Sequence, residues 1–269
     1  MPQTLVLAKA SSAASPVGAQ LRAWRQRRRR SQLDLALDAG ISQRHLSFVE
    51  SGRARPSRDM LLHLAEQLEV PLRERNALLL AAGFAPRYAE RGLDDPALAP
   101  ASQVVATILR GHFPNPALAV DRHWHMLAAN EAVAPLLAGV AEPALLAPPV
   151  NVLRLSLHPG GLAPAILNLP VWRGHILGRL QRQAQASADP VLAALHAELT
   201  ALGGPLAAEP AEGIAVPLEL ATREGALSLI GTVTVFGTPT EVTLAELAIE
   251  AFYPADAVTA ARLRRLCGG

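Results

Sequence analysis

Apolar residues recur every three to four positions through 17–84, with polar and charged residues between them, a spacing that predicts five short helices at about 17–29, 31–39, 42–51, 57–69 and 72–82. In the second helix Leu33, Ala36 and Leu37 lie at helical spacing. Gly40 follows them, free to take the positive φ that turns one helix sharply into the next. In the third helix Leu46 and Val49 face inward and Ser42 is placed as its cap, which leaves Gln43, Arg44 and Ser47 on the outward side. Over 85–101 the pattern stops: Pro86, Gly92, Pro96 and Pro100 stand among charges, the chemistry of a linker.

Beyond the linker the periodicity changes twice. Residues 102–112 read as a helix, and "ALAVDRHWHMLAAN", 117–130, as two strands joined at Asp121 and Arg122. Asn130 can then cap a helix at 131–138. Helices at 169–186 and 189–202 follow, with Trp172, Ile176 and Leu180 on one face. "GIAVPLELAT", "GALSLIGTVTVFGTP" and "LAELAIEAFYPAD" are rich in β-branched and turn residues and predict three antiparallel strands, and a basic helix at 257–266 closes the chain. The expected fold is therefore two domains: an all-α bundle at 17–84, then an α+β domain at 102–269 with an antiparallel sheet. Residues 1–16 read as an Ala/Ser-rich arm.

Charge separates the two parts. Between residues 17 and 58 ten arginines face three acids, so this stretch carries +7 of a chain whose formal net charge is +2. Local basicity of this kind suits a polyanion. Cys267 is the single cysteine, which excludes an intramolecular disulfide and a cysteine-built zinc site and fits the cytosol. No apolar run approaches the length of a membrane span: the most apolar stretch, 132–153, is interrupted by Pro135, Glu142, Pro143, Pro148 and Pro149.

Taken with that charge, the outward Gln43, Arg44 and Ser47 near the positive end of a short helix are suited to base edges and phosphates in a major groove. The residues Ser31-Gln32, Leu35-Ala36, Ala39-Gly40-Ile41-Ser42, Leu46-Ser47, Glu50, Gly52-Arg53 and Pro56-Ser57 resemble the helix-turn-helix of the Xre/Cro/C1 class of repressors. The resemblance implies that Gln32 bonds a phosphate, that Ser42, Gln43, Arg44 and Ser47 form the DNA-reading end, and that Arg53 grips phosphate. Glu50 is expected to be structural, ordering Arg53 or the first helix. One departure is the arginine run 27–30, which stands where the class commonly has a glycine or small residue.

The larger part of the chain lies after the linker and must sense, dimerise or catalyse. Two strands, a set of helices and a three-stranded meander follow the element order of a PAS domain. "ALAVDRHWHMLAAN", "NVLRLSLHP" and "TVTVFGTPTEVTLAELAIEAFYPAD" resemble the MmyB-like ligand-binding domain of bacterial regulators. That resemblance implies a one-component regulator whose PAS-like domain holds a small apolar molecule, an acyl chain being the family-level expectation. An apolar ligand needs a concave aliphatic and aromatic wall with few polar anchors. Phe113, Trp124, Met126, Trp172, Val233 and Phe236 are candidates for the wall, with His125 and Arg173 as anchors.

Enzyme chemistry finds less support. No Gly-x-Ser-x-Gly elbow, Walker loop or dinucleotide fingerprint is present. His123-x-His125 would place two imidazoles on one face of a strand, but no third ligand follows at a defined offset, so neither a metal nor a cofactor is expected. The reading is a homodimeric regulator that binds a palindromic operator on double-stranded DNA through recognition helices about 34–36 Å apart. The alternative keeps DNA binding and makes the second domain a dimerisation or protein-interaction module, as in an antitoxin or phage-type repressor.

Overall fold

The computed structural model describes residues 16–204 and 215–268. The arm read at 1–16 lies outside these residues except for Pro16, as do the first two residues of "GIAVPLELAT". The chain divides into two compact units between Ala89 and Glu90.

The first unit is five helices: α1 (Pro16–Arg27), α2 (Gln32–Asp38), α3 (Gln43–Glu50), α4 (Arg58–Gln67) and α5 (Leu72–Ala81). Three of them begin at a serine, Ser31, Ser42 and Ser57, whose hydroxyl accepts from the amide three residues on and so satisfies one of the donors a helix start leaves open. Leu21, Leu35, Leu46, Leu61, Leu64 and Leu78 are fully buried at the centre. Leu33 and Leu37 are 51% and 69% exposed, and Leu35, Ala36 and Ala39 form the buried face of α2. A seven-residue helix makes about two turns, so apolar residues at 33, 35, 36, 37 and 39 are compatible with two opposite faces. Only docking against the other helices selects one of them.

The second unit is built on a five-stranded antiparallel sheet of order β2-β1-β5-β4-β3. Its strands are β1 (Ala117–Val120), β2 (Met126–Ala129), β3 (Leu218–Thr222), β4 (Gly225–Val235) and β5 (Ala248–Pro254). The helices are α6 (Ala99–Gly111), α7 (Val152–Leu157), α8 (Leu169–Ser187), α9 (Pro190–Ala201), α10 (Val242–Glu246) and α11 (Ala257–Gly268). The two early strands, the meander of three late ones and the closing helix match the sequence reading. The helix expected at 131–138 is a short 3-10 turn, Ala134–Leu137, with Pro135 in its first turn.

Both faces of the sheet are covered. Ala117 and Ala119 of β1 and Ile249 and Ala251 of β5 pack with Val105 and Leu109 of α6. Leu118 and Val120 turn to the other side, where they join Trp172, Ile176 and Leu180 of α8 and Leu192, Leu195 and Leu199 of α9. The period of two along the strands separates these groups. The stretch read as a linker is ordered at both ends. Asn76 accepts from the amides of Arg87 and Tyr88 and donates to the Tyr88 carbonyl, while Leu93 and Leu98 are drawn into the second unit. Helix α6 starts at Ala99, ahead of the expected 102, with Pro100 in its first turn, where a missing N–H costs no hydrogen bond.

The phase of α2 is testable by urea unfolding. Leu37→Gln should leave stability within about 0.5 kcal/mol of the parent, as exposed substitutions do. Leu35→Ala should cost about 2–5 kcal/mol.

Candidate functional site

The turn between α2 and α3 is made by Gly40 at φ +62°, a conformation other residues adopt only with strain. Helix α3 is held from behind by α1. A Cβ on Gly18 would lie 2.4 Å from the Val49 carbonyl oxygen, so the close approach of these helices requires glycine. Beside that contact the buried Glu50 carboxylate accepts from Arg25 Nε (2.6 Å), Arg25 Nη2 (2.9 Å) and Gln32 Nε2 (2.8 Å). The hydrogen bond to Glu50 raises the Arg25 guanidinium above its ordinary pKa. Glu50 therefore orders the first helix, the second of the two structural roles expected of it.

Gln43, Arg44 and Arg53 are exposed, Ser42 caps α3 and Ser47 is half-buried. The Phe48 ring lies under both Arg44 (5.3 Å) and Arg53 (5.8 Å), so one aromatic plane gathers two guanidinium groups. Phe48 was not singled out in the sequence; its place one turn after Arg44 was the available signal. Gln32 gives one N–H to Glu50, which makes part of its role structural.

The arginine run is largely absorbed by the fold. Arg27 stacks on Trp24, Arg28 donates to the carbonyls of Leu68 and Glu69 at the end of α4, and Arg30 pairs with Asp38. Arg29 takes φ +53° and closes the first helix, a conformation in which glycine would be expected.

In the second unit a cavity of about 320 Å³ opens between the sheet and the helices. Its wall is mostly aliphatic and aromatic and includes Trp124, Met126, Trp172 and Val233, four of the predicted residues, with Leu118, Ile176, Leu220 and Phe252. Four predicted residues lie elsewhere. Phe113 lines a separate hollow between α6 and β2, and Phe236 packs with the α6-side cluster. His125 pairs with Asp121, and the Arg173 guanidinium donates to the carbonyls of Leu199 and Thr200 at the end of α9.

The polar groups in the wall are instead Ser156, His175, Arg179 and Glu250. Arg179 donates to both oxygens of Glu250 (2.7 and 3.2 Å) and lies over the Trp124 ring at 4.5 Å. His175 stacks on Trp172, and burial, together with the positive charge of Arg179 and Arg182, pushes its pKa down. Trp172 donates to the Ser156 hydroxyl. Two signals for this cluster were present in the sequence: His175 and Arg179 follow Trp172 at helical spacing, and Glu250 interrupts an apolar strand.

The "DRHWH" stretch is a turn rather than a strand. Asp121 Oδ1 accepts from the amides of His123 and His125, both at 2.8 Å, and Trp124 at φ +68° sends its indole into the core.

A short capped helix, a glycine turn and a second helix carrying exposed amide and guanidinium groups, followed by a sheet enclosing an apolar cavity, fit a helix-turn-helix regulator with a ligand-binding domain. Residues 21–75 match the helix-turn-helix family model, and residues 101–266 match the MmyB-like transcription regulator ligand binding domain. The chain belongs to the MmyB-like transcription regulators, with an Xre-type DNA-binding domain at its N-terminus. Both matches are to regulator families and not to enzymes. No curated protein matches the chain.

The Arg25–Glu50 pair carries a prediction for the reading head. Glu50→Ala would leave the Arg25 guanidinium buried without its carboxylate and should destabilise the first unit by about 3–5 kcal/mol in chemical denaturation.

Proposed function

We propose that this DNA-binding transcription regulator senses a small, largely apolar ligand of the acyl-chain class, held in the cavity beside β1, β5 and α8. The observation that carries the proposal is the composition of that wall: aliphatic and aromatic nearly throughout, with Arg179, Glu250, His175 and Ser156 as its polar groups. A volume of about 320 Å³ is at the lower end of the range of small-molecule pockets, about 300–1,000 Å³. An apolar chain would bury itself against Leu118, Ile176 and Leu220, while its polar end would meet the Arg179–Glu250 pair and the free hydroxyl proton of Ser156.

The regulator works as a homodimer on a palindromic operator in the cytoplasm of a bacterium. Phe113, just after α6, and Leu127 of β2 are large apolar residues left 44% and 42% exposed around one hollow, which supports pairing through this side of the second unit. The same observation supports the alternative in which the second unit serves pairing alone. Ligand regulates DNA binding by favouring one arrangement of the two reading heads, which requires different affinities for the two states.

Two measurements test this reading. In fluorescence-anisotropy titrations Arg44→Ala should cost about 1–3 kcal/mol on the cognate duplex and little on a random one. Arg53→Ala should weaken both duplexes alike and lower the salt slope by about 0.9, the change expected when one phosphate is no longer neutralised. Native mass spectrometry of freshly purified protein should find one small apolar molecule per chain, and Met126→Trp, which fills the cavity, should lose it. An empty parent protein would favour the pairing-only alternative.

A further inference from the structure

The geometry points to a divalent transition-metal site in the turn between β1 and β2, with Asp121, His123 and His125 as its protein ligands. The missing third ligand of the His-x-His pair is the aspartate two residues before it, brought round by the turn. The ligating atoms of the three side chains lie within 4.8 Å of one another, the one such group among the described residues. His125 Nδ1 and Asp121 Oδ2 are 3.0 Å apart, and an ion bound at about 2.0–2.2 Å from each would span that edge.

Three features make this a built site and not a chance grouping. Asp121 Oδ1 accepts from the amides of both histidines, which fixes the carboxylate and leaves Oδ2 turned to His125. Trp124 is held at φ +68° with its indole buried, the kind of backbone strain that concentrates at ligand clamps, and this brings the flanking imidazoles to within 6.1 Å of each other. His123 is oriented from outside the turn: its Nε2 lies 2.9 Å from Oδ2 of Asp189, the residue that caps α9. A ring that donates from Nε2 to a carboxylate presents its lone pair at Nδ1, the arrangement by which metal-binding histidines are usually held.

The nearby cation, Arg122, is engaged between Asp189 (3.5 Å) and Glu246 (3.6 Å). All three ligands are half-buried and therefore reachable by an ion. None lines the apolar cavity, so the site is distinct from the proposed ligand pocket and does not rest on that reading. Two imidazoles and one carboxylate suit zinc or another first-row ion, with the remaining positions open to water.

The test is calorimetric titration of the untagged, chelator-stripped full chain with zinc chloride. The parent should bind one ion per chain. His125→Ala should lose at least about tenfold in affinity, and Asp189→Asn, which removes the orienting charge while retaining a capping side chain, should lose about 10- to 100-fold. Asp121→Asn should weaken binding while its Oδ1 still receives the two amides. Imidazole resonances of the unmutated protein provide a readout that needs no variant: zinc should move those of two histidines of the eight, His123 and His125. No binding at millimolar zinc would overturn the proposal. So would unchanged affinity in folded His125→Ala, or zinc shifts confined to other histidines.

Discussion

The second unit depends on two neighbouring strands that are apolar on both sides. All four residues of β1 are buried, and β5 sends Ile249 and Ala251 to one face and Glu250 and Phe252 to the other. A strand buried on both faces has to be covered twice. Small residues, Ala117, Ala119 and Ala251, let α6 cover one side, while α8 and α9 cover the other. The cavity lies on this second side, where one strand position is given to a carboxylate. Glu250 brings Arg179 with it, and the pair sets an ion pair into a wall that is mostly aliphatic and aromatic.

In the first unit the comparable constraint is the Arg25–Glu50 pair. It joins α1 to the last residue of α3, and Gln32 extends it to the first residue of α2. A buried pair of this kind is a weak source of net stability, because both charges lose water on burial. Its geometric consequence is clear, since it ties both helices of the helix-turn-helix to one carboxylate. The arginine run serves the same end: Arg28 caps α4, and Arg30 reaches across to Asp38. Positive charge that looked, in the sequence, available to a polyanion is thus partly engaged within the protein, while Arg44 and Arg53, gathered on Phe48, stay exposed.

The apolar cavity and the Asp121–His125 turn meet at Trp124. Its indole lines the cavity, lies under Arg179 and donates to Gln183, while its backbone separates the two histidines that face Asp121. One residue in a strained conformation therefore shapes both the cavity wall and the turn beside it.

Most elements were legible in the amino-acid order alone: serine caps, Gly40, helical spacing and β-branched runs act over a few residues, so five helices, two early strands and a late meander could be read directly, whereas the short α7 and α10 could not. The same order carried the family resemblance and four residues of the cavity wall. Phases and partners, in contrast, came from packing. Leu33 and Leu37 faced outward because a two-turn helix has no unique apolar side until it docks. His125 and Arg173 were polar groups of the right kind that lie outside the cavity, one engaged by Asp121 and the other by the carbonyls ending α9. Arg179 and Glu250 lie 71 positions apart in sequence and meet only across the packed sheet and helix. Local pattern fixes which backbone forms, whereas hydrogen bonds and burial between distant segments fix which side chain is left free to act.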